Sequence, residues 1–354
     1  VATVLWTKFL KYEAARPEWY FMFLFELLKY FPASKTFLGL NLEVWGAMIL
    51  PGLMIGLIVA MPWVGNWRLG HRFNLGVLAV GLGFFGVFTW LGYQKDGANA
   101  SFQAAKIAAD QQAERVVELA KLRGIPPTGA LTLLREDPLT QGPKLFAQHC
   151  ASCHRYDGHD GLGKPVSDPS SAPDLKAFAS REWLTGFMDP ERITTPHYYG
   201  GTRFAERSQM VRFVQRDVAD YDDEQRAMLA KVIKALSAEA ALPAQVAIEA
   251  AEAPLIAEGR ELLNHEDMRC TECHKFHNDT EDAEAPNLTG YGSREWIIGF
   301  ITNPAHERFY GDRNDRMPAF GDEQTLDEQQ IGLLADWLRG DWPRAEGVAA
   351  AEQP

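Results

Sequence analysis

The chain has 354 residues, a formal net charge of −12 and four cysteines. A chain of this length allows two or three domains of roughly 100 to 200 residues each. The negative charge argues against a nucleic-acid-binding protein, because affinity for nucleic acid depends on Lys and Arg side chains that neutralise phosphates. Nearly all the apolar excess lies before Tyr93, and the sequence after Lys95 is polar and acidic. We therefore expect one part of the chain in a membrane and the other in water.

The first distinctive stretch is Arg16–Pro32, which reads RPEWYFMFLFELLKYFP. Its apolar run is well short of the roughly 20 residues that cross a bilayer. The stretch is also too apolar for an ordinary surface loop. It therefore needs a role other than spanning.

Two later segments are long enough to span the membrane, Val44–Val64 and Asn74–Tyr93, and neither contains a charged residue. We expect Pro51 to kink the first span. The short turn between them carries Arg68 and Arg72, which by the positive-inside rule indicate a cytoplasmic turn. The two outer ends of this helical hairpin are then expected on the periplasmic side.

The cysteines form two copies of one pattern, CASCH (Cys150, Cys153, His154) and CTECH (Cys270, Cys273, His274). This spacing is typical of covalent attachment of c-type heme, with the histidine as an axial ligand of the iron. A disulfide, a thioredoxin-like pair or a zinc site would explain the cysteines but not the histidine after each pair. The sequence predicts two covalently bound c-type hemes.

An internal repeat accompanies the two motifs, because PDLKAFASREWLTGF (173–187) matches PNLTGYGSREWIIGF (286–300) without gaps. The second copy continues to Met317, which is followed by a proline and an amphipathic helix, LDEQQIGLLADWL. This arrangement resembles class I cytochromes c, and we expect Met317 as the sixth iron ligand of the second copy. The resemblance also implies that the Pro173 and Pro286 carbonyls accept the N–H of the two ligating imidazoles.

The sixth ligand of the first heme has two candidates. Met210 occupies the position that matches Met317 before the last helix of its copy, although no proline follows it. His197 is as far beyond His154 as Met317 is beyond His274. We favour Met210 and keep His197 as the alternative.

The order of elements before Lys95 resembles the C-terminal part of cytochrome b, which corresponds to subunit IV of the chloroplast cytochrome complex. The resemblance is carried by PEWY (Pro17, Glu18, Trp19, Tyr20), a short apolar helix, KTFLGL, a span with an internal proline, and a second span. It implies that Pro17 and Trp19 line a quinol-oxidation pocket in which Glu18, with Tyr20 beside it, receives a proton. The short helix over Phe21–Phe31 would then lie near the interface and wall that pocket. A simpler alternative is that Glu18 is a helix N-terminal carboxylate favoured by the dipole.

Two features of the cytochrome b family are not found before the heme motifs. Only VATVLWTKFLKYEAA precedes PEWY, and it is too short and polar to span, so the preceding helix of subunit IV is expected from a missing segment or from another polypeptide. The four-helix b-heme portion and the ligands of a Rieske cluster are expected on partner subunits.

These observations predict an all-α protein with a membrane helical hairpin, a preceding interfacial helix and two tandem class I cytochrome c-like domains. The predicted boundaries are a membrane domain (1–95, spans 44–64 and 74–93), a helical connector (96–137), heme domain 1 (138–240), a linker (241–254), heme domain 2 (255–344) and a tail (345–354).

The predicted function is electron transfer within a multi-pass subunit of a membrane quinol:cytochrome c reductase. The chain is not expected to be catalytic alone. Expected partners are the b-heme subunit, a Rieske iron–sulfur subunit, lipid, and a periplasmic cytochrome c or oxidase as acceptor, in a dimeric complex in the bacterial inner membrane with the hemes on the periplasmic side. The alternative is a membrane-anchored diheme cytochrome c subunit of a terminal oxidase or another respiratory complex, without a quinol site.

Overall fold

The computed structural model describes residues 15–166, 170–277, 284–314 and 316–344. The segment before Ala15 and the predicted tail after Arg344 lie outside these residues. The described part is mostly helical and falls into two compact units, divided between Glu114 and Arg115. Helix α4 (Ala100–Arg123), most of the predicted connector, contains this division.

The first unit contains the predicted interfacial helix and the two predicted spans. Its elements are α1 (Met22–Leu28), a two-stranded antiparallel hairpin of β1 (Thr36–Phe37) and β2 (Leu40–Asn41), α2 (Leu42–Val64) and α3 (Gly70–Ala98). Both α2 and α3 are long and apolar enough to cross a membrane. The two predicted spans lie inside them, and α3 extends further at both ends.

The backbone of α2 adapts to its proline at a local defect in the helix. Residues Trp45–Ile49 form a π-helical turn that ends just before Pro51. A π turn widens the hydrogen-bonding ladder, which accommodates the missing N–H of the proline. The Asn74 side chain in α3 then donates to the Met61 carbonyl of α2 at 2.8 Å and ties the two spans together.

The short helix α1 packs against α3 through an ionic group that the sequence did not reveal. The Glu26 carboxylate is fully buried and accepts hydrogen bonds from Lys29 at 2.7 Å and from Lys95. Burial by itself raises the pKa of Glu26, but the two lysines outweigh that effect and lower it. A buried charge needs such partners, so Glu26 is held ionised where α1 meets α3.

The second unit contains both cysteine motifs. Its helices after α4 are α5 (Leu131–Arg135), α6 (Pro138–His149), α7 (Arg181–Phe187), α8 (Phe204–Arg207), α9 (Gln209–Arg216), α10 (Asp223–Glu239), α11 (Val246–Ala251), α12 (Ala253–Leu262), α13 (Arg294–Thr302) and α14 (Glu328–Leu338). Equivalent helices of the two copies begin with the same type of N-cap residue. Ser180 and Ser293 cap α7 and α13, and capping boxes at Asp222 and Asp327 begin α10 and α14.

The apolar side chains of this unit form two main clusters, each with residues from both copies of the repeat. The first core joins Phe146 and Tyr156 to residues of the second copy, which are Trp296, Ile301, Phe309, Phe320, Leu334 and Trp337. The second core joins Trp183, Ile193, Val214 and Val232 to Leu263, Met268, Phe276 and Leu288. A separate domain has its own hydrophobic core, whereas in the structure each core is shared by the two copies.

Candidate heme-binding sites

The two cysteine motifs lie in tight turns that bring cysteine and histidine together. Cys150 directly follows α6 as its C-cap, and the His154 N–H donates to the Cys150 carbonyl at 2.9 Å. In the second motif, Cys270 begins a short 3₁₀ turn and the His274 N–H donates to the Cys270 carbonyl at 3.0 Å. The two motifs therefore share one local geometry, a turn closed by a backbone hydrogen bond from the histidine to the first cysteine.

Each motif histidine is oriented by the carbonyl of a proline. The Nδ1 atom of His154 lies 2.8 Å from the Pro173 oxygen, and that of His274 lies 2.7 Å from the Pro286 oxygen. An imidazole nitrogen that faces a carbonyl carries the hydrogen and donates it, which leaves Nε2 free to bind a metal. The contacts implied by the cytochrome resemblance are therefore present.

Burial lowers the pKa of His154 and His274, although their bonds to the proline carbonyls oppose the shift. The neutral imidazole, which is the metal-binding form, is therefore favoured in both motifs. Burial also raises the pKa of the Cys150 and Cys270 thiols to about 12. A reactive thioredoxin-like cysteine has a lowered pKa instead, so these thiols do not have the character of a redox-active pair.

The loop that carries each proline is supported in the same way in both copies. The Trp183 indole donates to the Asp174 carbonyl at 3.3 Å, and the Trp296 indole donates to the Asn287 carbonyl at 3.0 Å. The Asp174 N–H donates to the His197 carbonyl at 2.9 Å. His197 therefore lies beside the loop that holds His154.

The two predicted methionine ligands, Met317 and Met210, pack against different cores. Met317 packs against the first core, which Cys150 also contacts. Met210, in the first turn of α9, packs against the second core, which Cys270 also contacts. The interpretation from sequence paired each methionine with the histidine of its own copy, whereas each methionine packs against the core that the first cysteine of the other copy contacts.

The residues of each site fit a c-type heme. A pair of thiols, an imidazole with a free Nε2 and a thioether in the same apolar cluster form the donor set that such a group requires. When bound, a heme supplies reversible one-electron transfer. The chain's own part is to hold the group, orient the imidazole and surround it with apolar side chains.

The PEWY residues occupy the surface of the first unit. Glu18, Trp19 and Tyr20 are exposed, and Trp19–Phe21 forms a 3₁₀ turn. Glu18 immediately precedes this turn, at the N-terminal position that the dipole alternative also assumes, and makes no capping hydrogen bond with its side chain. The Trp19 ring packs edge-on against Phe85 of α3 at 6.4 Å. Sequence reasoning missed Glu26, and the available signal was an acid inside an apolar run with Lys29 three residues later.

Comparison with known proteins identifies part of the chain. Residues 139–237 match the family model for cytochrome c, and residues 254–338 match that for cytochrome c oxidase, cbb3-type, subunit III. The menaquinol:cytochrome c reductase cytochrome c subunit of Bacillus subtilis (strain 168) is 30% identical over 166 residues, which cover 45% of this chain and 53% of that protein. The match thus spans about half of the relative's length, and no solved structure matches. The chain contains cytochrome c domains.

Proposed function

We propose that the chain is an electron-transfer subunit of a membrane quinol:cytochrome c oxidoreductase. The observation that carries the proposal is the pair of CxxCH turns, each with its imidazole held by a proline carbonyl, on a chain that also has two helices long enough to span a membrane. The similarity to a menaquinol:cytochrome c reductase subunit supports it. The two heme-binding segments would be class I-type cytochrome c domains following a cytochrome b-like hairpin.

In this proposal the electron path needs partner subunits. Quinol would deliver one electron to a Rieske centre on a partner and the other to b hemes on a second partner. The Rieske electron would pass through the two c-type hemes to a cytochrome c or an oxidase in the periplasm. Covalent linkage of the hemes to the membrane hairpin would keep them at a high effective concentration near the Rieske donor.

The first unit would contribute part of the quinol-oxidation pocket on the periplasmic side. Trp19 and Tyr20 present exposed aromatic surface next to Glu18. Such a surface suits the flat ring of a quinol, and a nearby carboxylate can accept its proton and pass it to water. Pro17 and the turn that follows it would set the position of these side chains.

The test of this pocket is quinol oxidation by the assembled complex with Glu18→Gln. We expect the rate to fall by about 10²-fold, the scale at which a positioned proton acceptor contributes. Glu43→Gln, which makes the same change at an exposed carboxylate of the same unit, is the control and is expected to keep the rate. Unchanged oxidation with Glu18→Gln and normal heme content would refute the pocket assignment.

A second candidate function has one specific observation in its favour. Residues 254–338 match the family of the third subunit of cbb3-type oxidases, so the chain could instead be a membrane-anchored diheme subunit of a terminal oxidase. Purification of the native complex separates the two functions. A Rieske protein and a four-helix cytochrome b support the quinol reductase, whereas a heme–copper subunit without them supports the oxidase.

A further inference from the structure

We propose that each heme is bound by both copies of the repeat. The heme attached to Cys150 and Cys153 takes His154 from the first copy and Met317 from the second. The heme attached to Cys270 and Cys273 takes His274 from the second copy and Met210 from the first. This inference rests on the proposed two-heme function and concerns which segments enclose each heme.

The first line of evidence is the packing of the helix before the first motif. Helix α6 lies against α14 of the other copy so closely that a methyl group on Gly142 would come within 2.2 Å of the Trp337 Cβ. The Trp337 ring also stacks on Tyr156 at 4.3 Å, two residues after His154. The last helix of the second copy therefore closes the site of the first motif.

The reciprocal packing closes the site of the second motif. Helix α12 lies against α10 of the first copy, where a methyl group on Gly259 would come within 2.0 Å of the Lys231 carbonyl oxygen. An ion pair of 2.7 Å between Lys231 and Glu258 crosses the same helix contact. Both sites thus use a glycine on the helix before the cysteines and the last helix of the opposite copy.

Contacts next to the cysteines also join each motif to the opposite copy, an arrangement that we call the exchange. The ring of His149, which directly precedes Cys150, packs edge-on against Phe320 at 6.2 Å. Phe320 is three residues after Met317, so the Met317 loop reaches the first motif. At the second motif, Arg269 forms an ion pair of 2.5 Å with Asp217 and Tyr221 donates to the Asp267 carbonyl at 3.4 Å.

The chain crosses between the two cores within the repeated segment. Leu175 packs against the first core and Trp183 lies in the second, whereas Leu288 lies in the second core and Trp296 in the first. The two crossing segments are in contact at Ala179 and Gly292, where a methyl group on Gly292 would come within 2.3 Å of the Ala179 Cβ. Both residues have a positive φ, 73° and 62°, so the crossing uses the left-handed turn conformation in each copy.

His197 and Met317 reach the first motif through different contacts. A heme attached to the first motif would be held by the His154 imidazole and by one further side chain from another part of the chain. His197 is bonded through its carbonyl to Asp174, next to the proline that supports His154. Its backbone is therefore anchored next to the loop that supports the His154 imidazole, whereas the Met317 loop meets the first motif through Phe320.

The first experiment uses the unmodified, detergent-solubilised holoprotein and a carbodiimide, which joins a carboxylate to a contacting amine. We expect a Lys231–Glu258 cross-link in the species with the mass of one chain. The control is the pair Lys176 and Asp157, which are 3.1 Å apart within the first copy and should cross-link in either arrangement. Formation of the control product without the Lys231–Glu258 product would overturn the exchange.

The second experiment assigns the ligand of one heme by spectroscopy. In Cys270→Ser/Cys273→Ser protein, only the heme on Cys150 and Cys153 remains. We expect its far-red charge-transfer band, which reports ferric iron bound by methionine, to be lost with Met317→Ala and kept with Met210→Ala. Loss with Met210→Ala and retention with Met317→Ala would overturn the proposal.

These outcomes differ from failure of the function itself. If the chain did not carry c-type heme, no heme would stay attached to the denatured polypeptide, and neither methionine variant would have a band to lose. If only the exchange were wrong, covalent heme would be present and the band would follow the methionine of its own copy.

Discussion

The two copies of the repeat agree around the histidines and diverge around the methionines. In both, a serine caps the repeated helix, a tryptophan indole donates to the proline loop, and a proline carbonyl holds the imidazole. On the methionine side, Met210 lies in the first turn of a helix capped by Ser208. Met317 instead lies in a loop, where the Asn314 side chain donates to its carbonyl at 2.9 Å.

This difference shows which part of a heme site tolerates change. The imidazole side depends on a chain of backbone hydrogen bonds, so a substitution there disturbs several partners at once. In the proposed sites the methionine side would need only one thioether, which either a helix or a loop can supply, and thioether ligation is one of the main controls on redox potential. We therefore expect the two hemes to have similar attachment and different potentials.

The largest effect is expected from removal of the methionines. Met317→Ala and Met210→Ala should each abolish one of two far-red charge-transfer bands and lower one midpoint potential by on the order of 0.1 V, within the roughly 0.8 V range that axial ligands control. Optical redox titration of the holoprotein measures both. His197→Ala is the control and should keep both bands, whereas loss of a band with this variant would make His197 a ligand.

The helix contacts give the next largest effect. Gly142→Ala and Gly259→Ala each add a methyl group that clashes with the neighbouring helix, and we expect each to lower the free energy of unfolding by about 2–3 kcal/mol. Gly259 should be the more sensitive position, because its neighbour is a backbone carbonyl rather than a side chain. Guanidinium titration followed by heme absorbance measures the change.

The control for these glycines is Gly332→Ala in α14, where the nearest atom is the end of the Arg294 side chain, which can move. We expect a change of less than about 1 kcal/mol, since alanine also favours the helix. A loss at Gly332 as large as that at Gly142 would mean that the close helix approach is not the cause.

A smaller effect is expected at the end of the last helix, where the copies differ again. Arg339 is buried and donates to the Ala240 carbonyl at 2.5 Å, to the Gly292 carbonyl at 2.8 Å and to the Ala241 carbonyl at 3.0 Å. Arg339→Met removes these three bonds and should cost about 1–3 kcal/mol. Lys234→Met, at the matching position of α10, removes only a partly exposed pair with Glu252 and should cost less in the same titration. An equal cost at both positions would contradict this asymmetry.

The smallest effect is expected at the tryptophans that support the proline loops. Trp183→Phe and Trp296→Phe each remove one indole hydrogen bond, and we expect a loss of about 0.5–1.5 kcal/mol. Trp296 should cost more, because its bond is 3.0 Å long and that of Trp183 is 3.3 Å. Thermal unfolding of the two variants side by side ranks them, and the reverse order would show that ring packing outweighs the hydrogen bond.

Much of the local structure could be predicted from the sequence. The helical hairpin follows from apolar length and the last helix from its amphipathic pattern, whereas the proline contacts of both imidazoles follow from the resemblance to class I cytochromes c. These features depend on residues close together in the chain or on a segment's own composition.

The assembly of the cores could not be predicted in this way. Gly142 and Gly259 each lie on the helix before a cysteine motif, but an exchanged and an unexchanged arrangement place each glycine against an equivalent helix. The choice depends on the path of a few residues around Ala179 and Gly292, where no apolar pattern differs between the two outcomes. Glu26 was missed for a related reason, since its partner Lys95 is far away in the chain.

The crossing of the chain at Ala179 and Gly292 also constrains the order of folding. A polypeptide emerges from the ribosome in sequence order, and the first core needs Phe146 and Trp337 together. That core cannot close until the chain has been synthesised through α14, even if its porphyrin is attached earlier. Between heme attachment and closure of the core, Tyr156 and its neighbours would be exposed to solvent. Packing of α14 would then bury this apolar surface and end the period in which the nascent protein can aggregate.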